Sequence, residues 1–178
     1  MKNIIILLFL ITTFYSCKAP EARRPISVKS GSFINESIEL NKKLNAEQYE
    51  RIQNIINNNP DIKYIASDNG FWYYYHTKVE AEINTADFGD LLNFDFNISD
   101  IEGTIIYSES ELGNKDYVMD KEELFSGLRE GLKLMKPGET ISFLFPAQKA
   151  YGFYGDEDKI GSNLSIQCKV TLNSIQKN

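Results

Sequence analysis

The chain has 178 residues, which is enough for one domain with extensions but not for several large domains. Hydrophobic residues make up 42% of it and aromatic residues 12%, so the chain can bury a sizeable core, and global disorder is excluded. The net charge is −6, and no basic run extends beyond a pair such as Arg23-Arg24, which excludes the basic stripe of a nucleic-acid-binding protein.

The first sixteen residues have the pattern of an export signal. A weakly basic start precedes an apolar run at residues 4–15, which suits a signal peptide and is too short to cross a bilayer. Ser16 then precedes Cys17, an arrangement that resembles the cleavage site of bacterial lipoproteins. We therefore expect residues 1–16 to be removed and Cys17 to carry lipid, which would place the protein in the periplasm, anchored to an envelope membrane. An ordinary signal peptide followed by an incidental cysteine is the alternative.

Two further segments precede the predicted domain. Residues 17–40 are polar, contain two prolines and show no sustained periodicity, which predicts a tether. Residues 41–60 are predicted to hold a helix, because apolar residues between positions 46 and 56 recur at intervals of three to four. Asn45 can cap this helix and Pro60 follows its end. The pattern favours a helix that packs against the domain over one with a function of its own.

Residues 61–178 are predicted to form an α+β domain, with an antiparallel sheet around one short amphipathic helix. The helix is expected near residues 121–135, where Asp120 and Glu123 form a possible capping pair and leucines follow at helical spacing. The predicted strands comprise an aromatic run at 71–75, an alternating segment at 94–98, an apolar run at 140–145 and a period-two segment at 166–173.

Most catalytic constellations are missing from the sequence. His76 is the only histidine, and no cluster of cysteine and histidine has metal-ligand spacing, so we expect no metal site. No serine has the context of a hydrolase nucleophile, and neither a phosphate-binding loop nor a dinucleotide fingerprint is present, so we expect no cofactor. Any catalysis is therefore expected to work without a charged constellation.

Four segments share their order and spacing with one enzyme family. These are 96–108, in which Phe96 lies seven residues before Gly103, the helix and turn at 127–139, the Ala-Tyr-Gly loop at 146–152, and the segment 160–164. Together, over residues 61–176, they resemble the FKBP-type peptidyl-prolyl cis/trans isomerases. The resemblance is greatest to the lipoprotein FKBPs of gliding bacteria, which also have a short helix before the domain.

The resemblance implies an FKBP-like fold, isomerase activity and proline-containing polypeptides as substrates. In the family, the position of Phe125 donates a backbone N–H to the ligand and the position of Tyr151 donates a hydroxyl. The residues implied to be catalytic are Tyr151, Phe96 and Phe125, and those implied to bind substrate are Ile106, Tyr107, Tyr117, Leu124, Leu128, Ile160 and Cys168.

The sequence also departs from the family pattern. Leu128 replaces the usual tryptophan of the pocket floor, Tyr107 an aspartate, and Cys168 an aromatic residue. Two functions follow from the resemblance. The first is an isomerase that assists the folding of exported envelope proteins, including those of a gliding machinery. The alternative is a non-catalytic chaperone or assembly partner that uses the same groove to bind chains.

Overall fold

The computed structural model describes residues 30–81 and 85–178 of the chain. The predicted signal peptide, Cys17 and residues 17–29 of the predicted tether lie outside the described residues. Residues 37–178 form one compact unit, which contains every site discussed below. Within the described ranges, no helix combines the length and the apolar character needed to cross a bilayer.

Helix α1 is longer than the sequence predicts and spans Ser30–Asn58. The prediction of a tether is therefore wrong for residues 30–40, which are helical. Neither glycine nor proline occurs between residues 32 and 58, and Lys42 pairs with Glu39 at 2.9 Å across one turn. Local propensity and such pairs extend the helix where a sustained apolar stripe is absent.

The described residues form a seven-stranded antiparallel sheet, as the predicted α+β architecture requires. The strands follow the order β1-β2-β6-β7-β3-β4, and β5 pairs with the first residues of β3 on the same edge that β4 pairs with further along. The predicted strands correspond to β2, β3, β6 and β7. In chain order the strands are β1 Ile65–Ala66, β2 Trp72–Thr77, β3 Leu91–Asp100, β4 Ile105–Tyr107, β5 Lys115–Val118, β6 Thr140–Phe145 and β7 Ile166–Gln176.

Three short helical segments connect the strands: α2 Glu109–Leu112, α3 Ser126–Leu132 and a 3-10 turn at Ala147–Lys149. Helix α3 is much shorter than the predicted helix at 121–135. Asp120 has a φ of 58° and Phe125 a ψ of 145°, and both angles lie outside the helical range. The predicted capping pair of Asp120 and Glu123 is wrong, because the helix begins only after this extended backbone.

Helix α3 packs closely against strand β6 because it carries glycine at the contact. A Cβ atom on Gly127 would lie 2.5 Å from the Cδ1 atom of Phe145, so no larger residue fits there. Leu128 and Leu132 on the same helix are fully buried in the core that lies between α3 and the sheet.

Helix α1 packs near the opposite face of the sheet. Leu144 alternates with the core residues of β6 and is fully buried, and its register partner on β2 is Trp72. The Trp72 ring lies 5.2 Å from the ring of Tyr49 on α1. Ile52, one turn further along α1, is also fully buried. The second half of α1 is therefore an integral part of the domain core.

Candidate active site

A cavity of about 360 Å³ opens beside β3 and β5, and we call it the cup. Its residues come from two strands, from α2, from the segment before α3 and from the loop after the 3-10 turn. This volume lies at the lower end of the range for small-ligand sites. The cup is lined by Phe94, Phe96, Leu112, Lys115, Asp116, Tyr117, Glu122, Glu123, Leu124 and Tyr151.

A second cavity of about 570 Å³ adjoins the cup, and we call it the outer cleft. It shares Leu124 and Tyr151 with the cup and adds Phe125 and Arg129. Two glutamates, at positions 122 and 123, line both cavities. Aromatic and aliphatic side chains therefore form walls common to the two cavities, and charged side chains also border them.

The alternation of strand β3 places two aromatic rings in the cup. Phe94 and Phe96 are two residues apart, so both point to the core face, and their ring centroids lie 5.4 Å apart. Tyr117 is opposite Leu92 in the pairing of β5 with β3, and its side chain is buried. Burial raises the pKa of Tyr117, and its hydroxyl oxygen accepts a 3.4 Å hydrogen bond from the N–H of Asp120.

Tyr151 forms the wall that the cup shares with the outer cleft. Its ring centroid lies 5.1 Å from that of Phe125, and the side chain is half-buried. Burial raises the pKa of Tyr151 to about 12, so the hydroxyl remains protonated near neutral pH. None of the described residues forms a hydrogen bond with this hydroxyl, which leaves it available to a ligand.

Phe125 supplies a second donor at the same place. It precedes the first residue of α3, where the backbone N–H groups lack partners within the helix. Among the described residues, none accepts a hydrogen bond from the N–H of Phe125. The site therefore combines a cup with aromatic and aliphatic walls and two uncharged donors, the Tyr151 hydroxyl and this N–H.

Tyr107 contacts the loop that follows Tyr151 and is not among the residues that line the cup. Its hydroxyl donates to Oδ2 of Asp156 at 2.5 Å and lies 3.2 Å from Oδ2 of Asp158. The ammonium group of Lys159 lies 4.7 Å from the centre of the Tyr107 ring. The hydrogen bond to Asp156 raises the pKa of Tyr107 above its usual range, so the hydroxyl stays a donor.

The remaining predicted residues lie in the core beyond the cup lining. Leu128 and Cys168 are fully buried, Ile160 is nearly so, and Ile106 packs half-buried against the same core. Burial raises the pKa of the Cys168 thiol, which keeps it protonated. These four residues belong to the core or pack against it and do not line the cup. Their direct contact with substrate stays a prediction.

The resemblance did not point to several residues that line the cup. Phe94 had a signal in the sequence, because it lies two residues before Phe96 on the same strand face. Leu112 and the glutamates at 122 and 123 had no such signal in the sequence. They reach the cup only because β5 pairs with β3, which no local pattern predicts.

Two other features could suggest a site. Nε2 of His76 lies 2.8 Å from Oγ of Ser142, but this serine is only 1% exposed, so a substrate carbonyl cannot reach it. A cavity of about 500 Å³ lies at the β1–β2 edge beside Tyr74 and Tyr75 and contains none of the predicted site residues. Within residues 30–81 and 85–178, no group of three potential ligands could hold a metal ion.

Residues 83–173, just over half of the chain, match the family described as FKBP-type peptidyl-prolyl cis-trans isomerase. The chain belongs to this family. It is therefore an isomerase that acts on proline-containing polypeptides. The match includes β3, the segment before α3 and the loop of Tyr151, which together build the cup. No curated protein matches the chain significantly.

Solved structures show the same fold as this isomerase. FkpA from Escherichia coli superposes with a TM-score of 0.59 at 20% identity, covering 99% of this chain and 82% of FkpA. A peptidyl-prolyl cis-trans isomerase from Pseudomonas syringae pv. tomato also gives a TM-score of 0.59, at 15% identity. That alignment covers 74% of this chain and 96% of the Pseudomonas protein. At these identities the likeness concerns the fold alone.

Proposed function

We propose that the cup is where this isomerase catalyses the cis/trans isomerisation of the X-Pro peptide bond. Rotation about this bond is slow because the amide must lose its planar resonance, behind a barrier of about 18–20 kcal/mol. The step needs neither a nucleophile nor a base, in agreement with a site built from Phe96, Tyr117 and Leu124. A water-poor cup favours the less polar twisted amide over the planar one. The observation that carries this proposal is the convergence of these separate segments on one cavity beside Tyr151, whose aromatic and aliphatic walls are bordered by charged side chains.

The two donors are proposed to orient the substrate. The Tyr151 hydroxyl and the Phe125 N–H can donate to carbonyl groups of the bound chain while the proline ring occupies the cup. Fixed donors in a water-poor site need little reorganisation during rotation. The test is the cis-to-trans relaxation of a proline-containing peptide, which we expect to accelerate in proportion to added enzyme. A relaxation rate equal to the uncatalysed one would refute a catalytic cup.

One observation favours a second function, the holding of unfolded chains. Phe153 and Tyr154 follow the site tyrosine in sequence and are 60% and 83% exposed, with their rings in edge contact at 5.3 Å. Ser162 fixes this part of the loop by donating from its hydroxyl to the carbonyl of Phe153. Exposed aromatic rings close to a binding site suit the apolar side chains of an unfolded polypeptide. Family membership makes the chain an isomerase, so we propose this function beside catalysis rather than instead of it.

Suppression of aggregation tests the holding function. Light scattering would be followed for a denatured protein whose refolding does not depend on proline isomerisation. We expect a variant with serine at both 153 and 154 to suppress aggregation less than the wild type does. Phe88→Ser is the matched control, because Phe88 is 67% exposed and does not line the cup or the outer cleft. Equal suppression by all three proteins would exclude the aromatic pair as a holding surface.

We also propose that the isomerase works in the periplasm, anchored through lipid on Cys17. The apolar run at residues 4–15 and the Ser16-Cys17 junction support this location. Metabolic labelling with a fatty acid is expected to mark the wild-type protein but not Cys17→Ala. Equal labelling of both proteins would refute lipidation at Cys17.

Exported envelope proteins are the proposed clients, including those of a gliding machinery. The resemblance to lipoprotein FKBPs of gliding bacteria supports this choice. Deletion of the gene in its source bacterium is expected to reduce gliding and the amounts of folded envelope proteins. Complementation with Tyr151→Ala would separate catalysis from chain holding, because this variant keeps the exposed aromatic pair. Unchanged gliding after deletion would refute the motility role.

A further inference from the structure

Gln48 of helix α1 closes a ring of four hydrogen bonds at the base of the loop that carries Tyr151. Its Oε1 atom accepts from the N–H of Ala147 at 2.8 Å, and the Ala147 carbonyl accepts from the N–H of Gly152, also at 2.8 Å. The Gly152 carbonyl accepts from the N–H of Asn163 at 3.0 Å. The Asn163 carbonyl accepts from Nε2 of Gln48 at 3.3 Å, which completes the ring.

The partners of the Gln48 side chain define its orientation. Oε1 faces two donors, the Ala147 N–H and the Ser165 hydroxyl at 3.3 Å, whereas Nε2 faces a carbonyl. The reversed amide would set donor against donor. Gln48 is only 7% exposed, so water cannot readily replace these partners when the side chain is removed. The ring is therefore specific for an amide side chain.

Helix α1 is a firm support for this side chain. The next residue of α1, Tyr49, anchors it by placing its ring 5.2 Å from the ring of Trp72. The Tyr49 hydroxyl also accepts a 3.4 Å hydrogen bond from Nε2 of Gln148, in the same turn as Ala147. A loop held at both ends by a packed helix restricts the positions that its side chains can adopt.

We infer that Gln48 is a positioning residue of the isomerase site, although it lies on a helix outside the family match and is not among the residues that line the cup. It acts through the loop from Ala147 to Asn163. It sets the position of Tyr151, which directly precedes the ring residue Gly152 in the sequence. The inference rests on the proposed role of Tyr151. It assigns to α1 a part in catalysis in addition to the packing that the sequence predicts.

The test compares Gln48→Met, which preserves side-chain length without the amide, with Ile52→Ala, which weakens the packing of α1 outside the ring. We expect Gln48→Met to lower kcat/KM for a proline peptide by roughly threefold to tenfold, the cost of one or two unmade hydrogen bonds. Ile52→Ala is expected to lower the melting temperature while kcat/KM per folded molecule stays the same. An equal loss of kcat/KM in both variants would overturn the inference.

A double-mutant cycle separates positioning from general stability. In a Tyr151→Ala background, we expect Gln48→Met to change kcat/KM no further while it still lowers the melting temperature. An activity loss that is additive in this background would overturn the inference. Where Gln48→Met does not fold, Gln48→Glu takes its place: it keeps an acceptor for the Ala147 N–H, sets an oxygen against the Asn163 carbonyl and adds a negative charge to the buried ring, so it should also lower kcat/KM.

The outcomes also distinguish the inference from the proposed site. If Tyr151→Ala loses activity and Gln48→Met does not, the site stands and the positioning role fails. If Tyr151→Ala keeps full activity, the proposed role of Tyr151 fails, and the positioning role fails with it.

Discussion

The hydroxyl of Tyr107 donates a 2.5 Å hydrogen bond to Oδ2 of Asp156 and so joins strand β4 to the loop that follows Tyr151. Oδ1 of the same carboxylate accepts from the N–H groups of Asp158 at 3.0 Å and Ile160 at 2.7 Å. Asp156 is therefore the centre of a small hydrogen-bonded cluster at one edge of the site loop. Tyr107 stands where the family usually has an aspartate, and the carboxylate in contact with it comes from the loop.

Removal of the Tyr107 hydroxyl should release this loop. For Tyr107→Phe we expect faster hydrogen exchange at the amides of Asp158 and Ile160, because the carboxylate that they share loses its link to β4. Tyr154→Phe is the matched control, since that side chain is 83% exposed. Unchanged exchange in Tyr107→Phe would show that the loop is held by other contacts.

A second carboxylate gives a prediction for stability against pH. Asp90 accepts hydrogen bonds from the N–H of Asp87 at 2.7 Å, from Nζ of Lys177 at 2.9 Å and from the N–H of Asn178 at 3.0 Å. The bond from Asp87, followed by that from Lys177, lowers the pKa of Asp90 to about 2. A pKa below the unfolded value of about 3.9 stabilises the fold above that pH. This contribution is lost as the pH falls through 2.

The expected signature is a difference that depends on pH. Asp90→Asn should lower the melting temperature near neutral pH, and the gap to the wild type should close as the pH falls from about 4 to 2. Asp68→Asn, at an exposed aspartate, should show no such gap. A gap between Asp90→Asn and the wild type that stays constant down to pH 2 would mean that the charge of Asp90 does not stabilise the fold.

The position of Cys168 tests how the site departs from the family pattern. The family has an aromatic residue there, but in this chain the thiol is fully buried, with Phe143 and Ile98 as its register partners. Restoring an aromatic ring with Cys168→Phe should overpack this core and cost about 1–3 kcal/mol of stability. Cys168→Ala, which removes only the Sγ atom, is the control. A stable and more active Cys168→Phe variant would show that the position opens into the cup.

The sequence predicts much of this architecture, and its errors have physical causes. Periodicity places β3 and β7 well, because one face of each strand is buried. The same reasoning overextends α3, because Leu134 and Met135 remain at helical spacing while their N–H groups bond three residues back, to Gly131 and Leu132. Such turns preserve apolar spacing without extending the α-helix.

For the candidate site too, the sequence predicts some features and misses others. The family resemblance points to Phe96, Tyr117, Leu124 and Tyr151, which the fold brings together in one cavity. Contacts between remote residues leave no local pattern, and Tyr107 and Asp156 are separated by 49 positions. The hydrogen-bond ring at Gln48 likewise leaves no pattern in the sequence. Its other members are backbone N–H and carbonyl groups, which every residue type except proline carries.

The hydroxyl of Tyr151 should contribute less to kcat/KM than its aromatic side chain does. Tyr151→Phe removes one donor, and a neutral hydrogen bond contributes about 0.5–1.5 kcal/mol, so kcat/KM should fall roughly tenfold or less. Tyr151→Ala also removes a wall of the cup and admits water, so its loss of activity should be larger. Both variants should remain folded, because the side chain is only half-buried. Wild-type activity in Tyr151→Phe would exclude the hydroxyl as a donor to substrate.

The most direct test of the central claim is kcat/KM for isomerisation of a proline peptide by Tyr151→Ala, with the melting temperature of the same sample. A catalytic cup predicts a loss greater than that of Tyr151→Phe, with a melting temperature close to that of the wild type. A large fall in melting temperature with unchanged activity per folded molecule would contradict the claim and make Tyr151 a core residue.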